Sequence, residues 1–291
     1  MKNVESCPLC GVEDSTEVSA YSELIRLPEG YSVKKCDNCE LLRLSPAPNQ
    51  GESNEHYRQS EYYSADEYNK RAEQKTSFFM ERLNFIASYI SRDKILDLGC
   101  AGGDFLVVAK AIGWDVCGVE PTQKLAKSAK DKVGKKIFSS LEEAVEQNVK
   151  VNCVHSNHSF EHVQNPYQVA MAVSNVLIDG GLFCMEVPHQ FGSWQDNLKL
   201  VTYKMLGKNI ADKLFSEPVD TLHHTFFYTP KTLTNILSKA GFSVEFISTV
   251  NTANYQLPFP SLMRKVSYYI LDHLFSLFKK GPVIVCVARK S

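Results

Sequence analysis

Short apolar runs alternate with amphipathic stretches through most of the chain. The apolar runs predict buried strands at 95–98, 116–120, 151–155, 182–187 and 282–289. Helical spacing of apolar residues predicts helices at 105–111, 122–132 and 166–178, the last of them capped by Asn165. Strands and helices that alternate at this spacing form βαβ units. The pattern therefore predicts an α/β fold with a doubly wound, mostly parallel sheet.

The pattern changes before this alternation begins. A proline-rich break at 45–51 precedes a polar, tyrosine-rich segment, and apolar residues then recur at helical spacing from 69 to 90. We therefore expect a small N-terminal module at 1–50, a linker with a lead-in helix at 51–92, and the α/β domain at 93–291.

Three further features have more than one interpretation. The insertion at 189–228 predicts a lid or a substrate pocket, because it follows a strand at the ligand edge of the sheet. The amphipathic stretch at 257–280 has basic residues near its ends, which fits core packing, a homodimer face or peripheral contact with a membrane. Tyr57, Tyr62 and Tyr63 either close over a bound ligand or pack the N-terminal module onto the domain.

Composition and charge narrow the class of partner. The 291 residues include 32 basic and 33 acidic side chains, for a net charge of −1. This balance lacks the basic excess that drives nucleic-acid binding, so it argues against DNA and makes RNA a poor candidate. The N-terminus has no apolar targeting segment, and no apolar run approaches the ~18 residues of a membrane-spanning helix. We therefore expect a cytoplasmic protein.

Four of the nine cysteines form two identical pairs. Cys7 and Cys10, and then Cys36 and Cys39, have the two-residue separation of metal-binding turns. Gly11 follows the first pair, where the turn needs a residue that tolerates positive φ. Disulfides are the alternative, but a reducing compartment disfavours them. Four thiolates leave no open position on a tetrahedral ion, so we predict a structural Zn²⁺ in a zinc ribbon.

A glycine-rich turn after the strand at 95–98 indicates a ligand site. Asp97 precedes the turn, where a carboxylate suits a cationic amino group better than a pyrophosphate. The glycines at 99, 102 and 103 do not have the spacing of the dinucleotide fingerprint. Glu120, about twenty residues on, can accept hydrogen bonds from both hydroxyls of a ribose. The residues together predict a ligand with an ammonium group and a ribose but no phosphate.

These motifs resemble those of a known enzyme family. Residues 95–103, I-L-D-L-G-C-A-G-G, are similar to the first motif of class I S-adenosylmethionine-dependent methyltransferases. S-F-E-H-V-Q-N-P at 159–166, M-E-V-P at 185–188 and H-T-F-F-Y-T-P at 224–230 resemble later signatures of a bacterial branch, some members of which carry a four-cysteine ribbon. The resemblance covers roughly residues 70 to 290 and implies a Rossmann-like seven-stranded sheet.

The resemblance also implies which residues bind the cofactor S-adenosylmethionine. They follow the first, second and fourth strands of the domain: Asp97, Gly99, Cys100, Ala101, Gly102, Glu120, Pro121 and Asn157. Ala101 stands where the family more often has a glycine, which should change the loop little if its φ is negative. Asn157 should face the transferred methyl group, together with His158.

Two histidines are candidate catalytic residues. The resemblance places His224 beside the active site, where an imidazole can accept the proton of an acceptor hydroxyl, and His158 emerges at the ligand edge. Hydrogen bonding to the backbone of a loop is the alternative for His224. His155, His158 and His162 with Glu161 could instead bind a metal, although His155 is expected inside a strand.

The combined interpretation is a methyltransferase that acts on a small molecule. Similar family members suggest a hydroxyl of a nucleotide-linked or glycan sugar as acceptor, in polysaccharide biosynthesis, which is an argument by analogy. One alternative is C-methylation of a keto-sugar nucleotide, although the further C-terminal domain usual in that group is not found here. Another is a zinc-ribbon module that binds RNA or protein without catalysis.

Overall fold

Two β-sheets organise the molecule. The computed structural model describes residues 6–25, 27–48, 72–207, 209–211, 224–250, 270, 273–274 and 277–291. The smaller sheet contains β1 (Ser15–Glu17), β2 (Ser32–Cys36), β3 (Leu42–Ser45) and β9 (Phe226–Phe227). The larger sheet contains β4 (Lys94–Leu98), β5 (Asp115–Val119), β6 (Ile137–Phe138), β7 (Val151–Asn157), β8 (Leu177–Pro188), β10 (Phe242–Val250) and β11 (Val283–Lys290).

The described helices are α1 (Ser19–Leu24), α2 (Ala72–Ala87), α3 (Asp104–Ala111), α4 (Gln123–Val133), α5 (Leu141–Glu146), α6 (Pro166–Val176), α7 (Trp194–Leu206) and α8 (Pro230–Lys239). Helix α1 belongs to the N-terminal ribbon and α7 to the insertion, and the other described helices cover the larger sheet or lead into it. Two separate apolar clusters pack against the sheet, as expected when helices cover both faces.

The order of strands in the larger sheet confirms the predicted fold class. The order is β10-β11-β8-β7-β4-β5-β6, and β4 to β8 run parallel. Only β11 is antiparallel to its neighbours β8 and β10 within the described residues. This is a mostly parallel seven-stranded α/β sheet. Its order reverses beside β4, so a crevice opens at the carboxyl ends of β4, β5 and β7.

Several element boundaries differ from the prediction. The helix predicted at 166–178 ends at Val176, because Leu177 already pairs with Val151 as the start of β8. An apolar run at this point fits either a helix or a strand, and pairing within the sheet decides between them. The short strand β6 and helix α5 were missing from the prediction. The lead-in helix ends at Ala87 rather than at residue 90, and the cap at Asn165 is confirmed.

The N-terminal ribbon is joined to the α/β domain by main-chain hydrogen bonds. Strand β9 pairs with β3 through Leu42 and Phe227, and the Leu44 amide donates to the Thr225 carbonyl at 2.9 Å. Tyr21 of α1 stacks on Phe191 with the ring centroids 4.1 Å apart. The segments on both sides of the insertion therefore pack against the ribbon.

Some predicted features lie outside the described residues. These are residues 51–71 of the linker with Tyr57, Tyr62 and Tyr63, residues 208 and 212–223 of the insertion with His223, and residues 257–269, 271–272 and 275–276 of the amphipathic stretch. Among the helices that are described, none is both long and apolar enough to cross a membrane.

Two glycines with similar backbones provide a test of packing at the start of α3. Gly103 and Gly134 both have positive φ, +83° and +65°, so alanine strains the backbone at either place. A Cβ on Gly103 would also lie 2.9 Å from the Cα of Ala129, whereas a Cβ on Gly134 meets nothing within 4 Å. We expect Gly103→Ala to lower the free energy of unfolding by about 1–3 kcal/mol more than Gly134→Ala. Equal losses in urea denaturation would contradict this packing.

Candidate functional site

The loop after β4 brings the main chain close to β7. Gly99 has a φ of +78°, and a Cβ there would lie 2.2 Å from the hydroxyl oxygen of Ser159. The amides of Gly99 and Cys100 donate to the Val119 carbonyl at 2.9 and 3.0 Å. These two amides therefore hold the loop to β5. They are not directed toward a ligand.

The alanine in this loop adopts a conformation that the sequence did not predict. Ala101 has a φ of +45°. The negative φ on which the prediction for this residue depended is therefore wrong. Its amide donates to Oε2 of Glu120 at 3.0 Å. That hydrogen bond stabilises a left-handed conformation that costs an L-residue roughly 1–2 kcal/mol. The departure from glycine is therefore accommodated, with some strain.

Glu120 is a buried carboxylate at the end of β5. It is 7% exposed, and its second oxygen, Oε1, accepts from the Thr122 amide at 2.8 Å. Burial raises its pKa, and the two backbone amides oppose that effect. Each oxygen has a second lone pair, so the carboxylate can still accept hydrogen bonds from two hydroxyls of a ligand.

Asp97 belongs to a buried pair at the end of β4. It is 4% exposed, and its Oδ1 lies 2.7 Å from Nδ1 of His155 on the neighbouring strand β7. The imidazole stacks on Phe105 of α3 with the ring centroids 3.8 Å apart. His155 therefore orients Asp97 and is not available to a metal site with His158 and His162. The alternative that grouped these three histidines is wrong in this respect.

The other predicted cofactor residues differ in what they can contribute. Oδ1 of Asn157, at the end of β7, is buried with no hydrogen-bond partner, so it can accept from a ligand. Gly102 is buried in the loop, and Pro121 is exposed after Glu120. Cys100 is buried, where a Cβ on Gly118 would lie 2.7 Å from its sulfur. Burial raises the pKa of its thiol, so Cys100 contacts a ligand through its backbone if at all.

The four N-terminal cysteines lie together. The sulfurs of Cys7 and Cys39 are 3.5 Å apart, as are those of Cys10 and Cys36, and all four lie within 4.8 Å of one another. All four are free thiols, so the disulfide alternative is not observed. Zn–S bonds of about 2.3 Å place tetrahedral sulfurs about 3.8 Å apart, within this range.

The backbone of the two cysteine turns repeats. Gly11 has a φ of +77°, which confirms the predicted turn, and Glu40 takes the corresponding place in the second turn with a φ of +64°. Burial raises the pKa of the Cys10 thiol, but the Val12 amide and the Asn38 side chain outweigh it and lower that pKa to about 6. Burial instead raises the pKa of the Cys7 and Cys39 thiols, so the thiolate, which is the form that binds metal, is favoured at Cys10 but not at these two.

A second cluster surrounds a buried carboxylate. Glu161 lies in a single 3₁₀ turn (Phe160–His162) after β7 and is 1% exposed. Its Oε1 is 3.5 Å from Nδ1 of His158, 3.7 Å from Nε2 of His162 and 3.8 Å from Nε2 of His224. We call these four residues the Glu161 cluster.

The position of His224 in the cluster is fixed from two directions. Its Nδ1 lies 2.7 Å from Oε1 of Gln190, at the other end of the insertion. The next residue, Thr225, donates its amide to the Glu161 carbonyl at 3.0 Å and accepts the Leu44 amide from the ribbon. His224 therefore depends on the ribbon, the insertion and the turn after β7.

The pKa values of Glu161 and His158 depend on the charges in the Glu161 cluster. Burial alone would raise the pKa of Glu161, but the nearby charges of His162, His158 and His224 lower it to about 2. Burial alone would lower the pKa of His158, whereas Glu161 raises it overall. The carboxylate is thus ionised and attracts a cation to this place.

The structure brings together residues that sequence reasoning considered separately. Asp97, Glu120 and Asn157 share the carboxyl edge of the sheet, and His158 is one residue before Ser159, which packs on Gly99. His224 is distant from these residues in the sequence, and only the tertiary structure brings it beside Glu161 after β7.

Three polar residues near this edge were not identified from the sequence. Gln190 has no recognisable signal. Glu186, within an apolar strand, is a buried charge that pairs with Arg82 of α2, whose Nη2 donates at 3.2 Å. A lone charge in a strand of this kind is the signal that could have found the pair. Arg82, Glu186 and His155 also line a small pocket.

Comparison with known proteins identifies the family. A family described as a methyltransferase domain matches residues 42–246, more than half of the chain. A solved SAM-dependent methyltransferase from Archaeoglobus fulgidus is 18% identical, with a TM-score of 0.49 over 74% of this chain and 94% of that chain. One from Mesorhizobium loti is 16% identical, with a TM-score of 0.47 over 72% and 96%. No curated protein sequence matches.

The chain belongs to the methyltransferase domain family. This match confirms the predicted class of enzyme, a methyltransferase.

Proposed function

We propose that this methyltransferase transfers the methyl group of S-adenosylmethionine to a hydroxyl group of a sugar-containing small molecule. The observation that carries the proposal is the Glu161 cluster, which places the imidazole of His224 beside the carboxyl edge where Asn157 and Ser159 lie. The acceptor class rests on the resemblance of 159–166 and 224–230 to sugar-modifying members of the family.

The residues at the edge of the sheet fit the cofactor. Glu120 offers two oxygens to the ribose hydroxyls, and Asn157 offers a buried oxygen that has no partner. Asp97 supplies a negative charge near the amino group of the methionine part, and His155 orients it. Gly102, buried in the loop, would lie along the methionine part, whereas the missing Cβ of Gly99 makes room for Ser159. When bound, the cofactor supplies the electrophilic methyl group.

Cofactor affinity should depend on the two buried carboxylates. Glu120→Ala and Asp97→Ala each remove a charge-assisted hydrogen bond worth roughly 1.5–3 kcal/mol, so the dissociation constant should rise about tenfold to a hundredfold in calorimetry. Glu143→Ala is the matched control, because Glu143 accepts the Ser139 amide at 2.8 Å beyond the edge strand β6. If both site variants bind the cofactor as well as the parent does, this assignment is wrong.

Methyl transfer to an alcohol requires the loss of a proton. The C–O bond forms as the S–C bond breaks, the cofactor leaves as the neutral thioether, and the hydroxyl proton must go to a base. Gln190 accepts from Nδ1 of His224, which leaves the lone pair on Nε2. His224 is therefore the proposed base, and Glu161 stabilises the imidazolium that forms. His158 assists from the other side of the carboxylate.

Loss of the base should separate chemistry from binding. We expect His224→Gln to lower turnover about 10²–10⁴-fold while calorimetric cofactor affinity stays unchanged. The assay follows methyl incorporation from labelled cofactor into a panel of nucleotide sugars. His223→Ala, the neighbouring histidine, is the control and should be much milder. If the two variants behave alike, or if His158→Ala alone abolishes turnover, His224 is not the base.

The four cysteines are proposed to bind one structural Zn²⁺. Their sulfur separations suit a tetrahedral ion, and four thiolates fill its coordination shell. Because β3 of the ribbon pairs with β9 next to His224, the ion also supports the position of that histidine.

Metal analysis tests the zinc proposal directly. Fresh protein should contain one zinc per chain at the cysteines, and Cys10→Ser with Cys39→Ser should lose it and destabilise the ribbon. Cys117→Ser, a buried cysteine of β5, is the matched control and should retain the metal. Fresh protein without metal, or a chelated protein whose ribbon stays folded, would contradict a structural role.

A further inference from the structure

The Glu161 cluster has the composition and spacing of a metal site in addition to that of a proton acceptor. We propose that Glu161, His162 and His224 bind a divalent transition-metal ion through one carboxylate oxygen and two imidazole nitrogens. This site is separate from the four cysteines. The inference does not rest on the proposed function, because ion binding can be measured without methyl transfer.

The distances in the cluster suit an ion between the groups. The three nitrogens lie 3.5, 3.7 and 3.8 Å from Oε1 of Glu161, longer than the 2.7–3.2 Å typical of N–H···O hydrogen bonds. Metal–ligand bonds of about 2.0–2.1 Å place tetrahedral ligands about 3.3 Å apart. The ligand atoms of Glu161, His162 and His224 lie within 4.8 Å of one another, close enough to share one ion, whereas His158 lies outside this set.

The carboxylate itself requires a cation. Glu161 is 1% exposed, and neither of its oxygens has a hydrogen-bond partner among the described residues. A buried, ionised carboxylate is stable only when it is paired, hydrogen-bonded or bound to a metal. An ion bound to Oε1 would satisfy this requirement directly.

The hydrogen bond to Gln190 fixes the orientation of His224. An amide oxygen can only accept, so Nδ1 of His224 carries the proton, and Nε2 lies 3.8 Å from Oε1 of Glu161. A metal-bound histidine commonly donates its other N–H to such an oxygen, which fixes the tautomer.

The donor set selects the class of ion. Imidazoles with one carboxylate suit Zn²⁺, Fe²⁺, Co²⁺ or Ni²⁺, whereas Mg²⁺ and Ca²⁺ prefer oxygen ligands. The ion would bind the lone pair of Nε2 of His224, which would otherwise accept the proton of the acceptor hydroxyl. Base and metal ligand are therefore alternatives for one nitrogen, and the binding experiment decides between them.

Cobalt titration tests the proposal with the full chain. The protein is first brought to one Zn²⁺ per chain, which the four thiolates bind, and Co²⁺ is then added and followed by calorimetry and visible absorption. We expect one Co²⁺ per chain, with a d–d spectrum that lacks a thiolate charge-transfer band. Co²⁺ should also raise the melting temperature of the parent.

Three variants distinguish this site from adventitious binding. Glu161→Gln should weaken Co²⁺ binding more than about a hundredfold, and Gln190→Ala, which removes the outer partner, about tenfold to a hundredfold. His273→Asn alters an exposed histidine outside the cluster and should bind Co²⁺ like the parent. Circular dichroism verifies that each variant is folded. Should Glu161→Gln fail to fold, His162→Asn replaces it with the same expectation.

Several results would overturn the proposal. They are the absence of a second ion in zinc-loaded protein, a thiolate band in the cobalt spectrum, parent-like binding by the cluster variant, and loss of binding in His273→Asn. Any of these results would mean that the cluster binds protons and no metal ion. A failure of methyl transfer in the sugar panel has no bearing on this titration, whereas an ion bound to Nε2 of His224 would exclude that nitrogen as the base.

Discussion

A carboxylate almost wholly removed from water governs the carboxyl edge of the sheet. Glu161 attracts three imidazoles from two distant parts of the chain, and its own main chain accepts the Thr225 amide. Removing a charge from water is costly, so the surrounding residues are arranged to compensate it. The turn after β7 and the segment before β9 are held together by this requirement.

The N-terminal ribbon supports the residues around Glu161. Its strand β3 pairs with β9, and its helix α1 stacks Tyr21 on Phe191, one residue after Gln190. The hydrogen bond between Gln190 and His224 is thus supported at both ends by the ribbon. A domain of this size has little core of its own, and the pairing of β3 with β9 extends its sheet into the α/β domain. The family match, which begins at residue 42, includes β3.

The pairing of parallel strands explains the arrangement of the predicted cofactor-binding residues at the carboxyl edge of the sheet. Parallel strands place their carboxyl ends side by side, so Asp97 and Asn157 meet because β4 pairs with β7. The loop at Gly99 is held by amides bonded to Val119 and Glu120, which fixes the distance between the loop and β5. The strain at Ala101 is compatible with this arrangement because Glu120 stabilises the same amide.

The sequence by itself determined the α/β class, the parallel core, the four-cysteine spacing and the identity of the buried acidic residues at strand ends. These features depend on periodicity and local spacing, which a chain carries without its fold. Only the tertiary structure decided that β8 begins at Leu177, that His155 pairs with Asp97, and that Gln190 and His224 meet beside Glu161. Those contacts join residues from about thirty to sixty positions apart, and no local pattern encodes them. Pairing of strands and burial of charge select them when the chain folds.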